Sequence, residues 1–249
     1  MSQRPSASAR SLDLPPLYEL VQLREAGDAF AHASAIAGAR GAGTLVWVRR
    51  YDLVEFAVVL EPEEALAPAR RAIYAGMNAV ADALIAHAPP EHPITFAWPD
   101  AIRFDGALVG GGRLGWPEGV AEHEVPPWLV FSGMIRASVS RGAEPGSRPL
   151  NGALDELGFE AVDAGAVVAS FARHLMAGFD EWGELGFAPL ARRWLDRLPR
   201  QGGERFRIAD NGDLLAYRGA SLRPAGRRSL ARALAAPSWL DPVTGAPWL

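Results

Sequence analysis

The chain has 249 residues, 49% of them hydrophobic and 22% charged, with a formal net charge of −4, the balance of a soluble globular protein of one or two domains. All 25 basic residues are arginine, and cysteine is absent. These two absences exclude a cysteine nucleophile, a disulfide framework, a thiolate-bound metal and every Schiff-base or Walker-lysine mechanism.

Residues 1–16, rich in Ser, Ala and Pro, read as a disordered leader closed by Pro15-Pro16. They hold no signal-peptide stretch, and no apolar run in the chain approaches the ~18–20 residues of a membrane span. A cytoplasmic location without a membrane partner is therefore expected. The Ala-rich stretch from Leu17 to Arg40 predicts one helix, ended by Gly38 and Gly41. Thr44–Val48 and Val54–Leu60 are β-branched and aromatic, and they predict two strands joined by Arg49-Arg50-Tyr51-Asp52. Ile73, Met77, Val80 and Leu84 share one face of a helix over about 68–87. Ile94–Trp98 predicts a strand running into Pro99-Asp100. Ile102–Phe104 and Ala107–Val109 flank Asp105-Gly106, the signal of a type I′ hairpin.

Gly110-Gly111-Gly112-Arg113-Leu114-Gly115-Trp116-Pro117 follows, and Trp128–Phe131 begins another strand. Arg141–Gly152 reads as a loop. Two amphipathic helices follow, one carrying Val168, Phe171, Leu175, Phe179 and Trp182, the other Phe187, Leu190, Trp194 and Leu198. A boundary near residue 199 separates a larger domain, 17–199, from a small β domain with an Arg-rich tail, 200–249, in which Asn211-Gly212 marks a hairpin. Charge divides along the same line: residues 1–186 hold 14 Arg against 24 Asp and Glu, whereas 187–249 hold 11 against 5. The basic end reads as a solvated face or as a docking surface for an anionic partner centred on Arg227 and Arg228.

Gly110, Gly112 and Gly115 spell G-x-G-x-x-G, but no helical pattern follows Trp116-Pro117, so a dinucleotide site is rejected. The glycines then serve either close approach to a ligand or a plain turn. Arg49-Arg50 at a strand end suits bidentate binding of a phosphate or carboxylate, or faces solvent. The five histidines show no metal spacing, and no metal ligand set is expected.

The order of these pieces, with Trp98-Pro99-Asp100, then Leu108-Val109-Gly110, then the strand Trp128–Ile135, resembles the biotin/lipoate protein ligase family, and more its biotin branch, over roughly residues 17–218. The resemblance implies an α+β fold: a mixed β-sheet with helices packed mainly on one face, followed by a small SH3-like β domain. It implies two-step acyl transfer, in which a biotin- or lipoate-like carboxylic acid and Mg-ATP give an acyl-adenylate that passes to a lysine of a biotinyl or lipoyl carrier domain. On that reading Arg113 and Asp100 are catalytic, with Asp100 near the metal-phosphate. Arg49, Arg50, Trp98, Gly110, Gly111 and Gly112 bind substrate. Trp98, Pro99 and Asp100 match the W-P-N-D motif without its Asn, and the family's two lysines fall on Ala97 and Ala107. The family's Gly/Arg-rich loop is shortened to Arg49–Asp52. With no cysteine the octanoyl-transferase branch is excluded, and with no helix-turn-helix pattern ahead of the domain no nucleic-acid partner is expected. The alternative to a ligase is a non-catalytic member that binds an acyl or cofactor group, or a carrier domain.

Overall fold

A computed structural model describes residues 12–90, 92–139, 150–159, 162–199 and 202–248. Among them, β1 (Glu19–Leu23), β2 (Thr44–Val48), β3 (Leu53–Leu60), β4 (Ile94–Ala97), β5 (Ala101–Phe104), β6 (Ala107–Gly115) and β7 (Leu129–Arg136) form a seven-stranded sheet ordered β1-β2-β3-β7-β6-β5-β4. A second sheet holds β8 (Glu204–Ile208), β9 (Leu214–Arg218) and β10 (Gly226–Arg228) in the order β10-β9-β8. The helices are α1 (Ala29–Arg40), α2 (Leu66–Ala69), α3 (Ala72–Ile85), α4 (Ala164–Leu185), α5 (Phe187–Asp196) and α6 (Leu230–Leu234). In the large sheet β1 runs parallel to β2 and the other neighbours are antiparallel. This is the mixed α+β sheet that the resemblance implies.

Strands β2, β3 and β7 are buried on both faces because helices cover both. One face carries α3, α4 and α5 over Val54, Phe56, Val58, Phe131 and Ile135. α3 lies so close that a Cβ at Gly76 would meet the Phe131 ring at 2.2 Å. On the opposite face α1 presents Ala29, Ala33 and Ala37, a stripe of small side chains that lets it sit down on Val46, Val48, Ala57 and Val59. The rest of that face, toward β5, is covered by the chain's own C-terminal segment.

Three expectations are corrected. The single helix over 17–40 is a strand followed by a helix. Leu23 ends the strand, and the Asp28 side chain caps the helix by accepting from the Ala31 N–H at 2.9 Å. The stretch from Gly110 opens no turn, because β6 runs on through Gly110, Gly111 and Gly112 to Gly115 and stays paired with β7. Of the leader expected over 1–16, residues 1–11 lie outside the described residues, and Leu12 and Leu14 pack against the helix-side core. The Asp105-Gly106 link does have both residues at positive φ (49° and 83°) between antiparallel β5 and β6. Most of the loop expected over Arg141–Gly152 lies outside the described residues, but Gly152 returns to β6, its N–H donating to the Leu108 carbonyl at 3.0 Å.

The two sheets are tied through Tyr74 of α3. Its hydroxyl donates to the Gly212 carbonyl at 2.6 Å and accepts from the Trp98 indole N–H at 3.0 Å. No helix among the described residues is long and apolar enough to cross a membrane.

Candidate active site on the open sheet face

Antiparallel partners point to the same side of a sheet, so the register gives the layout of the face opposite α3 and α4. One row runs Glu55, Met134, Gly111, Ala101 across β3, β7, β6 and β5. The next runs Ala57, Ser132, Arg113. Leu53 and Arg136 pair on the other side of the first row. α1 roofs one end of these rows and Trp239 the other.

The charged groups are concentrated beside the start of α1. Glu55 is buried in the middle of an apolar strand, and its Oε1 accepts the Ala29 N–H at 2.9 Å, so it closes the helix N-terminus together with Asp28. Arg50 donates to both carboxylate oxygens of Asp52 at 2.7 and 2.8 Å and lies 3.3 Å from Glu55 Oε2. The Arg50 hydrogen bond holds Asp52 below the usual carboxylate range. Burial pushes Glu55 up, against the opposing pull of the Ala29 N–H and Arg50. Arg113 extends over the Phe30 ring, its guanidinium carbon 4.0 Å from the centroid, and among the described residues no carboxylate forms an ion pair with it.

The expected site residues are therefore divided. Arg50, Arg113 and Gly111 share the open face. Arg49 is exposed beyond the end of β2. Trp98 packs in the helix-side core, where its N–H is held by Tyr74. Asp100 has no exposed surface and its carboxylate oxygens have no hydrogen-bond partner. Burial lifts its pKa to about 7, with the Trp239 indole and its own backbone N–H opposing weakly. At Gly111 a Cβ would fall 2.2 Å from the Asp100 carbonyl and 2.5 Å from the Trp239 indole nitrogen, and at Gly112 within 3.0 Å of Met77 and Phe131. The close approach that these glycines permit is thus made by the protein's own side chains.

Sequence reasoning missed Glu55, Ser132, Arg136 and Trp239. A lone acid inside Val54–Leu60 and an arginine closing an apolar strand were the available signals, since a charge in a buried strand needs a partner there.

A model of the biotin/lipoate A/B protein ligase family matches residues 14–196. The chain belongs to this family. Among solved structures it is similar to a biotin protein ligase-like protein of unknown function from Silicibacter sp. (25% identity, TM-score 0.73, 85% of this chain and 95% of that one). The biotin protein ligase of Aquifex aeolicus shares the fold at 15% identity and TM-score 0.63, over 80% and 90% of the two chains. The same enzyme in complex with biotin and ATP aligns at 14% identity and TM-score 0.59, over 84% and 98%. No curated protein sequence matches the chain.

Set against a triphosphate and its magnesium, the residues on this face do not fit. The α1 N-terminus is already closed by two carboxylates, Arg50 is neutralised by Asp52 and Glu55, and Asp100 is sealed beneath Trp239. Arg113 is different, being half-buried in a row with Ala57 and Ser132 and, among the described residues, without a carboxylate at ion-pair distance, although Asp28 and Glu55 act on its charge from further off.

Proposed function

We propose that this family member holds a biotin- or lipoate-like carboxylic acid on the open sheet face without adenylating it. The observation that carries this reading is Arg113, which among the described residues has no carboxylate at ion-pair distance and stands beside Ser132, next to the apolar Met134, Gly111 and Ala101. The acid's carboxylate meets Arg113, and its apolar body lies along Met134, Leu108 and Leu53 toward Ala101. Arg50 acts as a positioning residue, fixing Glu55 and through it the start of α1. Alanine at 97 and 107, where the family has lysine, removes two positive charges that adenylation would need. One preorganised donor is worth ~3 kcal/mol in a transition state. A biotinyl or lipoyl carrier domain as partner and a cytoplasmic setting belong to the same proposal.

The ligase reaction is the second reading, favoured by the family match over 14–196. In it Arg113 and Asp100 are catalytic, and Arg49 and the glycines 110–112 contact substrate. Calorimetric titration with biotin, lipoate, octanoate and ATP, followed by a pyrophosphate assay, separates the two. Acid binding lost in Arg113→Gln, with no acid-dependent pyrophosphate, supports the first. Acid-dependent pyrophosphate release establishes the second, and binding of none of the acids, with residues 238–248 in place or released, ends both.

A further inference from the structure

The apolar end of the open face already has an occupant. Trp239 is fully buried against Leu53, Ala101, Leu108 and Met134, and Leu240, Ala246 and Trp248 pack around it. Leu230 and Leu234 belong to the helix-side core, so within five residues the chain passes from one face of the sheet to the other.

Residues 238–248 satisfy most of their own polar groups. Leu240 bridges Pro247, the Asp241 N–H donates to the Ala246 carbonyl at 2.9 Å, and the Trp248 N–H donates to the Trp239 carbonyl at 3.0 Å. The Asp241 carboxylate accepts from the Val243 N–H and the Thr244 hydroxyl, at 2.9 and 3.1 Å. Hydrogen bonds tie the segment to the sheet from the Trp239 indole to the Gly112 carbonyl at 3.3 Å and from Arg136 to the Pro247 carbonyl. Beneath it the Asp100 carboxylate and the Arg136 Nε are buried without partners. A segment that carries its own hydrogen bonds away with it, and that in leaving rehydrates the buried Asp100 and Arg136 groups, recovers part of the cost of exposing Trp239 and its apolar neighbours.

We infer that residues 238–248 are a clasp that occupies the trough of the open face, with Trp239 standing where the apolar body of a bound acid would lie, so that ligand and clasp exclude one another. The identity of the ligand rests on the function proposed above, but the clasp itself does not.

The test uses the full chain with a specific protease site inserted between Ala235 and Ala236 and cut after folding. Three readouts are anilinonaphthalene sulfonate fluorescence, lipoate and biotin titration, and competition by a synthetic peptide of residues 237–248. The inference requires the cut chain to gain dye binding that the peptide reverses, and an acid affinity about tenfold or more above the intact chain. No gain of peptide-reversible dye binding overturns it, as does a measurable acid affinity that is equal before and after cutting. Dye binding reversed by the peptide with no acid binding keeps the clasp and removes the acid-binding function. If cutting unfolds the chain by near-ultraviolet circular dichroism, Trp239→Ala in the intact chain takes its place and must bind the dye, with the peptide displacing it; no binding overturns the inference.

Discussion

At the scale of single residues, the open face is governed by which charges have partners. Asp100 has no charged partner, only the Trp239 indole and its own N–H to favour its carboxylate, and its pKa of about 7 against an ordinary 3.8 makes it a source of pH dependence. A raised acid is protonated in the folded chain while already ionised in the unfolded one, so its contribution falls as pH rises from about 4 to about 7. Asp100→Asn is expected to be more stable than the parent at pH 8, by on the order of 2–4 kcal/mol, with the difference vanishing near pH 4. Urea unfolding at the two pH values checks this. Glu55 is raised too but keeps the Ala29 N–H and Arg50 as partners. Glu55→Gln therefore leaves the Arg50–Asp52 pair intact and weakens the start of α1, with an expected loss of about 1 kcal/mol in the same unfolding measurement. Arg50 and Arg113 could be read from the sequence as candidates, since arginine in a chain without lysine must supply every positive side-chain contact outside histidine. That Arg50 is neutralised and Arg113 is not depends on where Asp52 and Glu55 point, which spacing does not show.

At the scale of elements, two glycines show how one residue type serves different ends. Gly111 of β6 is required because Trp239 and the Asp100 carbonyl stand where its Cβ would be. Gly111→Ala is expected to cost roughly 1–3 kcal/mol and to loosen residues 238–248, read as faster hydrogen exchange there. Gly178, inside α4, is its opposite, since a Cβ there would meet nothing within 4 Å. Gly178→Ala is expected to stabilise by up to about 1 kcal/mol in thermal unfolding. The hairpins and amphipathic helices were legible because their periodicity or turn chemistry is local. β1 was not, since a five-residue edge strand beside an Ala-rich helix leaves only Gly27-Asp28 to mark the break.

At the scale of the whole molecule, the two sheets are one folding problem joined at Tyr74. Its hydroxyl is buried between Gly212 and Trp98. Tyr74→Phe leaves the Gly212 carbonyl and the Trp98 N–H without their partner, and a loss of about 1–3 kcal/mol is expected by chemical denaturation. If the small sheet were independent of the large one, the variant would instead unfold in two separate transitions.

By itself the sequence determined the family, the main run of elements from β2 to β9 and, through its missing cysteine, that no acyl-thioester forms on this chain. These follow from composition and from patterns within a few residues. Only the tertiary structure decided that Gly111 of β6 receives Trp239, that Asp100 is sealed beneath it, and that Arg113 keeps its charge unpaired. Each of those depends on residues far apart in the chain meeting on one sheet face, and their sequence separation carries no sign of it.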